Sequence, residues 1–293
     1  MNEDELPRGL ESGSPALFRR TISLSLRRWR EEAGLKQGDA ARRLSRTVAH
    51  ISNIETDRVP PAADLEILLT LYGKQDRIPF MRQLLAAARK RKNWWTSISG
   101  DVPKWFNLYL GLEDGAVGLE SFDTVVVPGL LQTRSYAEAV ISGNPDLAHD
   151  QVKDLVDLRI TRQKILERPT LHISTIIDES VLYRVRGDGR TMNSQLNHLI
   201  EISRQPRVDI QVLPFDAGPN PAQDCGTFTL MVFPHQMADD PDLVYVELLT
   251  GGHYFEKSAE VAEYRRALSR LHSLAADPEA SRGIIKRAMR EVT

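Results

Sequence analysis

The sequence predicts two joined classes of fold, a five-helix bundle followed by a larger α+β domain built on a mixed sheet. Three observations carry that expectation. Up to about residue 90, apolar residues recur at three- and four-residue spacing between helix-ending signals. Beyond residue 93, β-rich runs and helical stretches mix without strict alternation, which disfavours an all-parallel sheet. Charge divides at the same place. Residues 1–92 hold 18 Lys/Arg against 12 Asp/Glu, a balance of +6, and residues 93–293 hold 20 against 28, a balance of −8.

The elements follow in order. Residues 1–16 are acidic and rich in Pro, Gly and Ser, and read as a disordered lead-in rather than a secretory signal. Ile22, Leu26, Trp29 and Ala33 form the apolar stripe of a first helix that Gly34 ends. Gln37–Leu44 is the second helix. Thr47 can N-cap a third that runs to about Thr56. After Pro60-Pro61, Leu65, Leu68, Leu69 and Tyr72 share a face of a fourth helix closed by Gly73, and Ile78–Ala88 is a fifth. This bundle spans residues 17–92, ending in the basic run Arg89-Lys90-Arg91-Lys92.

In residues 93–293 the expected helices are Pro103–Ala116, Leu130–Ile141, Gln151–Glu167, Met192–Arg204 and Ser258–Arg290, the last broken near Asp277-Pro278. The expected strands are Phe122–Val127, Leu171–Ile177, Val208–Leu213, Phe228–Phe233 and Leu243–Leu248. Gly187-Asp188-Gly189 reads as a turn.

Composition narrows the function classes. At 293 residues there is room for a sizeable core in more than one domain. The single cysteine, Cys225, excludes an internal disulfide framework and suits the cytoplasm. No apolar stretch approaches the roughly 18 residues of a membrane helix. The seven histidines include no metal-helix pair at i, i+4, and neither a phosphate-binding glycine loop nor a nucleophile elbow is present, so no metal and no cofactor is expected. Asp178-Glu179 could serve as acid and base, but adjacent carboxylates after a strand more often start a helix. The expectation is a non-enzyme.

Within Leu35–Pro61 the second and third helices flank a tight break at Ser45-Arg46, the spacing of a helix-turn-helix. On the third helix Val48, Ala49, Ser52 and Asn53 share one face while Ile51 and Ile54 point the other way. Small and polar residues outward and branched aliphatics inward suit a helix lying in the major groove. Asn53 can bond an adenine edge bidentately, Ser52 can serve either base type, and Val48 or Ala49 can touch a thymine methyl. Gln37, Arg42, Arg46 and Arg58 suit phosphates, which fix position rather than sequence. The alternative for these residues is a plain helical hairpin with solvated charges.

Residues 22–72 resemble the Xre/Cro-repressor type of helix-turn-helix, on L-x-Q-x-x-x-A-x-x-L followed by I-S-N-I-E. The resemblance implies that Gln37 opens the second helix as a DNA contact and that Val48, Ala49 and Asn53 fill base-reading slots. It also implies that Arg30 and Glu55 form an internal ion pair. Departures are Ser45 where a glycine is usual, Arg46 where an apolar residue is usual, and Ala40 in place of a larger core residue.

The rest of the chain is similar to the large C-terminal domain of antitoxin-like, WhiJ-type regulators of actinomycetes. WWTSISGDVPKWFNLYLGLEDGA, VVVPGLLQTRSYAEAV, the R-x-x-R-Q of Arg159, Arg162 and Gln163, VDIQVLPF and LVYVEL carry the likeness. It implies a transcriptional regulator whose body senses an effector or binds a short companion protein. Trp94, Trp95, Trp105, Phe106 and Tyr109 crowd the start of this region and either line a ligand cavity or pack one domain on another. Arg159 and Arg162, at i, i+3 with Gln163 beside them, could hold an anion or an internal carboxylate such as Glu113.

The resulting expectation is a cytoplasmic, sequence-specific regulator that binds a double-stranded operator as a homodimer, since one short helix reads too few bases alone. An antitoxin that mainly sequesters a partner protein, and an enzyme with a DNA-targeting head, are the alternatives.

Overall fold

The computed structural model describes residues 14–56, 58–90, 104–234 and 242–292, and the side chains of 90, 104 and 105 are outside that description. These residues form two units. The first holds the described residues up to 90 together with 107–115 and 233–234, and the second holds 104–106, 116–232 and 242–292.

The first unit is helical: α1 (Pro15–Glu32), α2 (Gln37–Leu44), α3 (Val48–Ile54), α4 (Ala62–Leu71), a 3-10 turn (Gln75–Arg77), α5 (Ile78–Lys90), and most of α6 (Lys104–Gly115). Helix α1 packs on α5, and α2 packs on both α3 and α4. Leu17, Phe18, Ile22, Leu26, Ile51, Ile54, Leu65, Leu69, Met81 and Leu84 are wholly buried, which is what their helical spacing requires.

Two expectations need correction here. Helix α1 begins before residue 17, because Ser14 caps it, accepting from the Leu17 N–H at 3.1 Å, and Pro15 takes the first turn. Ser14 is a buried cap and Pro15 and Ala16 are buried helix residues, not part of a disordered lead-in; residues 1–13 lie outside the described residues. The second correction is α6, whose residues 107–115 group with the helical unit although they follow the expected boundary at 93. The Ser14 hydroxyl donates to the Gly111 carbonyl at 2.7 Å. A Cβ at Gly111 would lie 2.4 Å from that of Ala16, and one at Gly115 would lie 2.0 Å from Leu17 Cδ2. Glycines one turn apart are what let α6 lie against α1.

The second unit is a mixed α+β domain. Its strands are β1 (Gly118–Asp123), β2 (His172–Asp178), β3 (Val208–Leu213), β4 (Phe228–Val232), β5 (Leu243–Leu248) and β6 (Gly251–Phe255), and its sheet order is β3-β2-β1-β4-β5-β6. Strands β1, β2 and β3 run parallel, and β4, β5 and β6 continue antiparallel. Between β1 and β2 come α7 (Arg134–Ile141) and α8 (His149–Arg162), and between β2 and β3 come α9 (Glu179–Tyr183) and α10 (Gly189–Ile202). A short α11 (Ala222–Cys225) precedes β4, and α12 (Ser258–Leu274) and α13 (Pro278–Glu291) close the chain. Both sheet faces are covered. Ile177, Val208, Ile210 and Val212 meet Leu196, Leu199 and Ile285 on one face, while Phe122, Ile176, Phe228 and Val244 meet Val261, Leu268 and Leu271 of α12 on the other.

Strand β1 occupies residues 118–123 rather than 122–127, and residues 129–131 form a 3-10 turn before α7 instead of its first turn. Strand β6 went unforeseen, since Gly251-Gly252 supplies no side-chain alternation. Asp178 caps α9 through the Ser180 N–H at 3.0 Å, and Asp188 caps α10 through the Thr191 N–H at 2.7 Å.

Candidate DNA-binding surface

The helix-turn-helix is α2, the turn at Ser45-Arg46, and α3. Ser45 has φ 53° and ψ 44°, the one non-glycine among the described residues with positive φ. Its N–H donates to Arg42 O at 3.1 Å, and the next N–H, of Arg46, donates to Ala41 O at 2.9 Å, which ends α2 as a left-handed cap. Serine thus holds the left-handed position of the turn without a glycine, and carries the strain of positive φ. The Thr47 hydroxyl then caps α3, accepting from the His50 N–H at 3.2 Å.

A polar knot fixes α3 against α1 and α2. Arg30 Nε donates to Glu55 Oε1 at 2.6 Å and Nη2 to Glu55 Oε2 at 2.8 Å, a bidentate pair whose side chains are 8% and 3% exposed. The Glu55 carboxylate raises the pKa of the Arg30 guanidinium. Arg30 Nη1 reaches Leu35 O at 2.8 Å, and Gln37 Nε2 donates to Glu55 Oε2 at 2.9 Å. Burial and the same carboxylate push the Tyr72 phenol upward. His50 Nε2 lies 3.3 Å from the Asp64 carboxylate, tying α3 to α4.

What remains outward is the expected face. Val48 is 51% exposed, Ala49 and Asn53 are exposed, and Ser52 is half-buried, while Ile51 and Ile54 are fully buried. Arg46 and Arg58, and also Arg43, which sequence reasoning passed over, are exposed without a side-chain partner among the described residues. Arg42 and Gln37 are different. Arg42 pairs with Asp39, and Gln37 bonds Glu55, so each would meet a phosphate only by sharing or leaving that partner.

The conspicuous motifs of the second unit bind the chain to itself. In the 127–133 crossover, Gln132 Nε2 donates to Val127 O at 2.7 Å and its Oε1 accepts from Arg159 Nη1 at 2.8 Å. Gln163 Nε2 donates to Gly129 O at 3.1 Å and Gln132 O at 2.7 Å. Gln195, wholly buried on α10, donates to Leu131 O and accepts from the Thr133 N–H, both at 2.7 Å. A Cβ at Gly129 would stand 3.1 Å from Arg162 Nη2, so glycine there leaves room for the arginine. Every member of this crossover clamp belongs to PGLLQT or R-x-x-R-Q except Val127 and Gln195. Arg162 stacks over Phe106 at 5.6 Å, and Tyr109 is buried. Trp94 and Trp95 lie outside the described residues.

Three further features belong to this unit. Ser121 and Thr175 donate to Asp123 Oδ2 at 2.6 and 3.1 Å, and burial raises that carboxyl to about 6 against the lowering effect of these two bonds. A cleft of about 190 Å3 opens beside the starts of β2 and β3, lined by Leu166, Leu171, Ile173, Pro206, Arg207 and Val208. Exposed apolar side chains follow the parallel strands in sequence: Val125 comes after β1, Val185 after α9, which itself follows β2, and Phe215 after β3. The Phe215 ring lies 6.0 Å from that of Tyr183. Among the described residues no His, Cys, Asp and Glu side chains cluster as a metal site, and no helix is long and apolar enough to cross a membrane.

Residues 106–287, more than half of the chain, match the family model described as Domain of unknown function (DUF5753). The chain belongs to the DUF5753 family. Residues 22–77 match a Helix-turn-helix domain, spanning α2, the Ser45 turn and α3, and such a domain marks a DNA-binding regulator. Neither a curated protein nor a solved structure matches the chain.

Proposed function

We propose that this DUF5753 protein is a sequence-specific transcriptional regulator of the Xre/Cro type, acting in the cytoplasm as a homodimer on a pseudo-palindromic operator. The observation that carries the reading is the outward face of α3. Val48, Ala49 and Asn53 stand exposed on a helix whose inner side is locked by Ile51, Ile54 and the Arg30–Glu55 pair. Exposed arginines at 43, 46 and 58, without a side-chain partner among the described residues, stand near that face in sequence for phosphates. The acidic balance of residues 93–293 favours leaving DNA contact to the helical unit. Genome-wide mapping of bound sites tests this. Discrete sites sharing an inverted repeat with half-sites about one helical turn apart support it, and diffuse occupancy without a shared sequence refutes it.

The body is read as the regulatory part, of the antitoxin-like WhiJ type, and as a non-enzyme. A companion protein is favoured over a small-molecule effector because Val125, Val185 and Phe215 offer exposed apolar side chains as anchors. Binding of a companion that shifts operator affinity, reciprocally, makes the body a sensor. A companion that binds and leaves operator affinity unchanged makes sequestration the principal role, the antitoxin alternative.

A further inference from the structure

We infer that α3 reads a half-site whose core is A·T, recognised through thymine methyl groups and an adenine edge. The inference rests on the DNA-binding reading and deepens it. Each base pair shows a different pattern in the major groove, and guanine, with two acceptors, is read chiefly by arginine or lysine. Helix α3 carries neither. Its one basic-capable side chain, His50, is turned to Asp64 at 3.3 Å. The neighbouring arginines all lie off α3: Arg42, paired with Asp39, and Arg43 belong to α2, Arg46 precedes the cap of α3, and Arg58 follows the helix.

The face offers instead an apolar pair and an amide. Val48 keeps half its surface exposed although the branched aliphatics Ile51 and Ile54 of α3 are wholly buried. At the first helical position, beside Ala49, it is placed where a recognition helix enters the groove. The only apolar group on the major-groove floor is the thymine C5 methyl. Asn53, one and a half turns on, has its side-chain amide free among the described residues and matches the donor–acceptor pair of adenine. Guanine contacts are then confined to the half-site flank that Arg46 can reach.

The test is selection of double-stranded DNA from a randomised library by the full chain, followed by affinity measurements on the enriched site. A·T enrichment at the core positions of each half-site is expected, with G·C preference only at the flanks. Replacing a contacted thymidine by deoxyuridine, which removes one methyl, should weaken binding about fourfold. That loss should shrink in Val48→Ala, whose melting should be unchanged because the side chain is exposed. A G·C-rich core, or deoxyuridine bound as well as thymidine, overturns the inference while leaving the regulator reading standing. Retention of DNA with no enriched sequence overturns both.

Discussion

Glu55→Gln perturbs the first unit at the point where three of its helices meet. The substitution keeps the shape of the side chain and one acceptor oxygen, and removes the negative charge. In the native protein both carboxylate oxygens are used, by Arg30 Nε at 2.6 Å and Nη2 at 2.8 Å, with Gln37 Nε2 sharing the second at 2.9 Å. An amide nitrogen in either place sets donor against donor. The guanidinium stays charged and buried, with the retained amide oxygen, Leu35 O at 2.8 Å and the half-exposed Glu31 carboxylate at 3.3 Å its remaining acceptors. Breaking one partner of such a buried pair costs about 3–5 kcal/mol, a large share of a total stability of about 5–15 kcal/mol. Urea unfolding of the full chain, followed by the fluorescence of Trp29 against a Trp29→Phe control, should show the first unit destabilised by about 3 kcal/mol. Operator affinity should fall only in proportion to the unfolded fraction. A double variant, Arg30→Met with Glu55→Leu, should recover most of the loss, because apolar replacement of both partners removes the uncompensated charge. A Glu55→Gln protein that melts like wild type yet fails to bind would show that Glu55 touches DNA. A double variant as unstable as the single would show that the pair is not what the substitution breaks.

Ser45→Gly should stabilise the first unit by up to about 1 kcal/mol. A left-handed L-residue costs about 1–2 kcal/mol, and the greater freedom of glycine in the unfolded chain offsets about 0.5–1 kcal/mol of the relief; a lowered urea midpoint would contradict the strain at φ 53°. Gly111→Ala should overpack the α1–α6 contact and lower the melting temperature of the first unit by the equivalent of about 1–3 kcal/mol, and wild-type melting would deny that α6 belongs there. Asp123 gives a pH signature. Its folded pKa, about 6, lies above the unfolded value near 3.8, so the folded state holds the proton more tightly, and stability is lost as pH rises from about 4 to about 6. Asp123→Asn should therefore stabilise the second unit by about 3 kcal/mol at pH 7 and by almost nothing at pH 3.5; a gain independent of pH would contradict this.

Much of the first unit was legible because its signals are local. Gln37–Leu44 coincides with α2 and Thr47 is the cap of α3, since spacing, caps and breakers act within one or two turns. Partners distant in sequence were not legible in this way. Nothing local says that Ser14 bonds Gly111, although the four-residue spacing of Gly111 and Gly115 was an available hint of close helix packing. The body shows the same division. Val208–Leu213 and Leu243–Leu248 are apolar enough to stand out as strands, whereas β6 begins with two glycines and is a strand because β5 lies beside it. Arg159 and Arg162, with Gln163 beside them, read as groups for an anion or for an internal carboxylate such as Glu113; in the structure Arg159 Nη1 and Gln163 Nε2 donate to amide and carbonyl oxygens of the 127–133 crossover. Their spacing records a fold requirement.

The most direct measurement is the affinity of Asn53→Ala and Arg58→Ala for the cognate operator and for its single-base variants, across a range of salt. Asn53→Ala should weaken the cognate site by about 1–3 kcal/mol and lose preference at one base pair, with the salt slope unchanged. Arg58→Ala should weaken all sequences alike and flatten the salt slope by about one unit. Unchanged affinity and base preference in Asn53→Ala would contradict the assignment of the outward face of α3 as the surface that reads DNA.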